Sequence, residues 1–172
     1  MTLPKKPAAK LGPMSHIGIV VRDIDQAMEY YGSVFGLGPF DVQVHTLDPF
    51  VFRGKTSRAR VKAAIAYAGP VFIELVQVLE GETPHTEFLR EHGEGVQHVA
   101  FLTRDIEGKL IELAKEGIKP LIDYRVPVDM PANPKDAKGS TRRMELHEVY
   151  LDSGRIGGTT IQLMEFKDVS PG

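Results

Sequence analysis

At 172 residues, with 42% hydrophobic and 26% charged side chains, the chain has the make-up of a globular protein with room for one domain or two small modules sharing a core. A formal net charge of −2 argues against nucleic acid or an anionic membrane surface as the main partner. The absence of cysteine excludes disulfides, thiolate metal sites and cysteine nucleophiles, so any metal must be held by His, carboxylate, amide or water.

Residues 1–13 read as a flexible N-terminal arm. No apolar stretch there resembles a signal peptide, and no run along the chain approaches the ~20 residues of a membrane span. A cytoplasmic location with no membrane partner is therefore expected. His16 to Val21 is a short Ile- and Val-rich strand. Asp23 or Asp25 offers a helix N-cap, and Ile24, Met28, Tyr31 and Phe35 form one apolar stripe, stopped by Gly36 and Gly38. Asp41 to His45, Arg60 to Tyr67 and Val71 to Leu79 read as strands, with a turn at Ala68-Gly69-Pro70. Thr83 to His92 is a short polar helix linking to a second half.

That half repeats the first. His98 to Thr103 is a strand, and Ile106, Leu110 and Leu113 form the stripe of a helix that Gly117 ends. Leu121 to Val126, Met144 to Leu151 and Thr159 to Phe166 follow as strands. Residues 127–141 hold three prolines, two lysines and a glycine, and read as a long surface loop. The internal match is close. His16-Ile-Gly-Ile-Val-Val-Arg22-Asp23-Ile24-Asp25 recurs 82 residues later as His98-Val-Ala-Phe-Leu-Thr-Arg104-Asp105-Ile106-Glu107. Ile73-Glu74-Leu75-Val76-Gln77 is matched by Ile161-Gln162-Leu163-Met164-Glu165. Two copies of one unit, each with a histidine and a carboxylate or amide at like places, point to a metal site between two half-domains.

These segments resemble the vicinal oxygen chelate superfamily, the group of glyoxalase I, methylmalonyl-CoA epimerase, bleomycin resistance proteins and extradiol dioxygenases. Gln26-Ala-Met-Glu-Tyr-Tyr, Phe35-Gly-Leu-Gly and the approach Phe88 to Phe101 look most like the epimerase and glyoxalase branches. The resemblance covers residues 14–167 and implies an α+β domain of two tandem βαβββ modules, 14–80 and 96–167, joined by the helix at 83–92. The modules would form a U-shaped mixed sheet around a divalent ion, one of Co, Ni, Mn, Zn or Fe, often in a homodimer. Carried over, the ligands fall on His16, Glu74, His98 and Gln162. Residues three apart on a strand face opposite ways, so the rival set is His16, Gln77, His98 and Glu165; the aligned isoleucines favour the first.

The resemblance also implies a metal-dependent isomerase, epimerase or lyase that abstracts a proton next to the carbonyl of a small oxygenated or acyl-CoA substrate. The base is not evident. Lys62 stands where the epimerases carry a glutamate, and Glu145 and His147 share one face of their strand. Lys135, Lys138, Arg142 and Arg143 are candidates to grip a phosphate or carboxylate. His45, His85 and His92 read as surface residues. The alternatives are an iron-dependent ring-cleaving dioxygenase, using two histidines and one carboxylate, and a non-catalytic drug-binding resistance protein.

Overall fold

The computed structural model describes residues 7–131, 141–155 and 157–169. Module one runs β1 (Met14–Val20), α1 (Ile24–Phe35), β2 (Asp41–Phe52), β3 (Lys55–Ala68) and β4 (Val71–Glu80). The linking helix α2 (Pro84–His92) leads into β5 (Gly95–Leu102), α3 (Ile106–Lys115), β6 (Pro120–Pro131), β7 (Thr141–Leu151) and β8 (Thr160–Asp168). The two modules repeat each other as βαβββ units, as expected.

Local chemistry explains the elements. The Asp23 side chain caps α1 by accepting from the backbone N–H of Asp25 and Gln26, and Gly36 ends the helix at φ 69°. Asp105 caps α3 in the same way through Gly108. Arg53 and Gly54, both at positive φ, form the two-residue turn between β2 and β3.

Several strands are longer than the sequence expectation; β3, for one, opens at Lys55 and not at Arg60. β2 continues beyond His45 to Phe52, with a register shift between Leu47 and Phe50 at Asp48-Pro49; a proline, lacking an N–H, is accommodated where the ladder bulges. β6 includes Pro127 to Pro131, which shortens the expected loop at 127–141 from both ends, since Thr141 opens β7. Beyond Asp123, β6 pairs with β7 alone, so its prolines deprive no second neighbour of a hydrogen bond.

The strands are ordered β1-β4-β3-β2-β6-β7-β8-β5 in one mixed, strongly curved sheet. The β1–β5 seam is antiparallel and extended; β2 meets β6 through Val51–Asp123 and Phe52–Ile122, which draws the arms of the U into a barrel. Helices α1 and α3 pack outside, whereas Phe88 and Leu89 of α2 pack on Val20, Val61 and Val76. Ile24 of α1 lies among Val21, Ala64 and Leu75, while Ile106 and Leu113 of α3 lie among Val149, Leu151 and Leu163. Phe35, expected in the buried stripe of α1, is instead 64% exposed.

Strand alternation then decides the interior. Ile73 and Leu75 of β4 face α1, so Phe72, Glu74 and Val76 face inward. On β7, Val149 and Leu151 face α3, so Leu146, Glu148 and Tyr150 face inward.

Candidate metal centre and cavity

His16, His98 and Glu74 converge at the inner face of the sheet. His16 Nε2 lies 3.1 Å from His98 Nε2, and Glu74 Oε2 lies 3.4 and 3.3 Å from those two atoms. Three electron-rich atoms this close repel one another unless a proton or a cation sits among them. Metal bonds of about 2.1 Å separate two ligand atoms by about 3.0 Å at right angles and about 3.4 Å at the tetrahedral angle. The observed triangle falls within that range.

The surroundings set the His98 tautomer. His98 Nδ1–H donates to Gln97 Oε1 at 2.8 Å, leaving the Nε2 lone pair directed at the triangle; Gln97 is itself tied to Thr160 at 3.3 Å. Ser15 Oγ stands 3.3 Å from His16 Nδ1, and the His16 ring stacks on Phe72. Burial alone would raise the Glu74 carboxyl, but the adjoining His16 and His98 rings outweigh it and hold that pKa well below the usual range. Burial lowers the His98 pKa, against the pull of Glu74. This donor set is suited to a borderline divalent ion.

Gly18 makes the arrangement possible. It pairs with His98 across the β1–β5 seam, and a Cβ placed on it would lie 1.8 Å from His98 Cε1. Gly18→Ala is therefore expected to displace the His98 ring, lowering metal affinity at least tenfold and stability by about 1–3 kcal/mol. Zinc titration alongside thermal unfolding checks this; unchanged affinity would mean that His98 is not held by that gap.

Gln162 occupies the place on β8 that Glu74 occupies on β4. His16 pairs with Phe72, two residues before Glu74, and His98 pairs with Thr160, two before Gln162. The Gln162 Nε2 donates to Glu148 Oε1 at 2.7 Å, while its buried Oε1 has no partner. The rival pair faces outward: Gln77 Oε1 accepts from Ile24 N–H at 3.1 Å and Glu165 Oε1 from Asp105 N–H at 2.7 Å.

Beside the triangle lies a cavity of about 160 Å³. Its walls are largely apolar, among them Val61, Ala63, Ile65 and Phe72. Glu148, which sequence reasoning passed over, faces this space and accepts from Tyr124 Oη at 2.5 Å as well as from Gln162. Burial, supplemented by the Glu74 charge, raises its pKa to about 7 despite the Tyr124 hydrogen bond. His85 also lines the cavity, contrary to its reading as a surface residue. It is 7% exposed, neither ring nitrogen has a partner, and burial holds its pKa down at about 3. His45 also lines the cavity but is itself exposed, as is His92, in keeping with their reading as surface residues.

The three residues expected to carry catalysis are not brought to this cavity. Lys62 lies on the outer face of β3, where its Nζ donates to both carboxylate oxygens of Asp25 at 2.7 and 2.9 Å. Glu145 and His147 lie on the outer face of β7; Glu145 stands 3.8 Å from Arg125, and His147 Nε2 donates to Asp123 at 2.8 Å. The cause is phase: β7 has acids at both 145 and 148, and the face that packs on α3 decides which turns inward. Lys62→Met is expected to leave turnover within about twofold and to cost under about 1 kcal/mol, as for a largely exposed ion pair; steady-state kinetics with a denaturant melt would show it. Of the anion-gripping candidates, Arg142 pairs with Asp168 at 3.7 Å, Arg143 lies on β7, and Lys135 and Lys138 fall outside the described residues. No helix among the described residues is long and apolar enough to cross a membrane.

Comparison with known proteins agrees with this architecture. Residues 15–132 match the family model described as the glyoxalase/bleomycin resistance protein/dioxygenase superfamily. An uncharacterized protein, YqjC, of Bacillus subtilis (strain 168) is 31% identical over 110 residues, 64% of this chain and 70% of that protein. The mitochondrial methylmalonyl-CoA epimerase of Mus musculus is 28% identical over 118 residues, spanning 68% of this chain and 60% of the mouse protein. Among solved structures, a hypothetical protein from Bacillus halodurans C-125 superposes with a TM-score of 0.58 at 24% identity, covering 93% of this chain and 98% of that one. A Streptomyces coelicolor methylmalonyl-CoA epimerase variant in complex with 2-nitronate-propionyl-CoA superposes at 0.54 with 20% identity, covering 91% and 98%. With two βαβββ modules closing around paired histidines and a family match across most of its length, the chain belongs to the glyoxalase/bleomycin resistance protein/dioxygenase superfamily.

Proposed function

We propose that this chain is a divalent-metal-dependent enzyme that moves a proton beside the carbonyl of a small oxygenated or acyl-CoA substrate, in the manner of an epimerase. The observation that carries the reading is Glu148, a half-buried carboxylate that faces a small apolar cavity and is tied to Gln162, the residue at the strand position equivalent to Glu74. His16, Glu74, His98 and Gln162 would hold a divalent ion, which supplies Lewis acidity that polarises a carbonyl and acidifies the adjacent C–H.

The protein's own groups do the rest. Glu148 takes the proton and returns it, aimed by the hydroxyl of Tyr124 and the amide of Gln162. The apolar walls keep bulk water from competing. His85, kept neutral by burial, offers an unpartnered ring nitrogen to a substrate oxygen. Similarity to methylmalonyl-CoA epimerases supports an acyl-CoA substrate.

The test is hydrogen exchange. Protein loaded with Co2+ and given methylmalonyl-CoA in D2O is expected to exchange the hydrogen next to the carbonyl, as followed by NMR, and to stop when the metal is chelated. Exchange that survives complete metal removal would sink the reading. A second reading rests on the two-histidine, one-carboxylate triangle itself, which also suits iron-dependent oxygen chemistry. 4-Hydroxymandelate synthase of Streptomyces coelicolor, as an S221M V223F Y359A variant, superposes at a TM-score of 0.55 with 16% identity, over 94% of this chain and 51% of that one. Oxygen uptake by the Fe2+-loaded protein with an aromatic substrate, without hydrogen exchange, would favour that alternative.

A further inference from the structure

The internal repeat gathers a second group of polar side chains on the opposite side of the sheet. In module one, Lys62 of β3 pairs across the ladder with Gln77 of β4, and its ammonium is held by Asp25 at the start of α1. The corresponding residues of module two are His147 of β7, Glu165 of β8 and Glu107 at the start of α3. Gln77 and Glu165 have the same structural duty, each accepting a backbone N–H at the first turn of its helix. The chemistry differs. Where module one places a cation against one carboxylate and an amide, module two places an imidazole against two carboxylates.

His147 is poised as a ligand. It is fully buried, and its Nε2–H donates to Asp123 Oδ1 at 2.8 Å. Nδ1 has no hydrogen-bond partner and faces Glu107 Oε1 at 3.7 Å, and in the neutral ring it carries the lone pair. A lone pair aimed at a carboxylate is repulsive unless a proton or a cation lies between them. One ligand atom from each of Glu107, His147 and Glu165 lies within 4.8 Å of the others. Asp123 behind the ring completes the carboxylate–histidine arrangement that orients metal-bound imidazoles.

We infer that Glu107, His147 and Glu165 form a second divalent-cation site, for Zn2+ or Co2+, in which the ion takes the place that the Lys62 ammonium holds in module one. The site is separate from the cavity triangle, because its residues face outward between α3, β7 and β8. One imidazole and two carboxylates are a three-ligand set that such ions accept, with the remaining position open to water. Two cations compete for the same carboxylates. Arg125 reaches Glu107 at 2.7 Å, and Lys167 stands 3.4 Å from Glu165 and 3.7 Å from Glu107. Both are part-exposed, and neither reaches Nδ1 of His147. Lys167 is thus a competitor that a metal ion would displace toward solvent.

The test is calorimetric titration of the full chain with Zn2+, repeated with Co2+ for its visible absorption. Wild type is expected to bind two equivalents. Glu107→Gln, at a half-exposed position, should bind one, and His16→Ala should keep the one that Glu107→Gln loses. Lys167→Met should tighten that same equivalent by roughly tenfold, since a positive charge a few ångströms away is removed. If wild type binds a single equivalent that Glu107→Gln leaves untouched, or if Lys167→Met changes nothing, the inference is overturned and His147 is only the partner of Asp123. A single equivalent lost in Glu107→Gln but kept in His16→Ala would support this site while counting against metal in the cavity, so the two readings fail separately.

Discussion

Replacing Glu148 by glutamine is expected to lower hydrogen exchange beside the substrate carbonyl by roughly 10²–10⁴-fold, the usual contribution of a positioned acid–base group. Metal content should remain unchanged. The substitution removes the proton acceptor and little else. Glu148 accepts one hydrogen bond from Gln162 and one from the Tyr124 hydroxyl. A glutamine keeps one carbonyl oxygen for the first, and the tyrosine hydroxyl can rotate to accept where it had donated. The pocket should therefore keep its shape, and thermal unfolding should shift little. Exchange measured by NMR in D2O on metal-loaded protein, with elemental analysis of the same sample, separates the outcomes. Wild-type exchange in the variant would remove Glu148 from the mechanism. Lost exchange together with lost metal would instead make it a support for Gln162.

His16→Ala is expected to weaken metal binding in the cavity by more than about 100-fold, since even groups that merely orient a ligand contribute ten- to a hundredfold. The stability consequence is measurable. Wild-type protein in a hundredfold excess of metal over the dissociation constant gains about 2.7 kcal/mol, which for a chain of this size raises the melting temperature by roughly 5–10 °C. The variant should show no such rise. Measurement in a Glu107→Gln background keeps the cluster beside α3 from contributing. A metal-induced rise that persists in the double variant would mean that the triangle of His16, His98 and Glu74 is held by protons and hydrogen bonds alone.

Much of this architecture was legible along the chain. The 82-residue spacing of two histidines, each opening an apolar run and followed by Arg-Asp-Ile and an acid, announced the duplicated unit. The caps at Asp23 and Asp105 and the stripe Ile106, Leu110, Leu113 are local patterns, and the helices follow them. Glu74 stood out as an acid inside Phe72 to Val76, where a charge needs a partner; it finds two imidazoles. Gly18 carried a readable signal that was missed: a glycine in an Ile- and Val-rich strand marks a close approach, here by the His98 ring.

Other features depended on neighbours remote in sequence. Met144 to Leu151 carries acids in both strand phases, so composition did not distinguish Glu148 from Glu145 and His147; packing of Val149 and Leu151 on α3 does. His85 reads as a polar helix residue, yet α2 places it against the rings of His98 and Tyr150. Prolines near 127–131 imitate a loop, yet β6 accommodates them where it has only one neighbour.

By itself, then, the sequence determined the duplicated βαβββ plan, the helix limits and the paired histidines, because these follow from spacing and capping between residues close along the chain. The inward turn of Glu148, the outward turn of Lys62 and His147, and the closure of β2 on β6 were decided only in the tertiary structure. A strand shifted by one residue exchanges its two faces, and what fixes that shift is the ladder and the helix packed against it, not the order of residues within the strand.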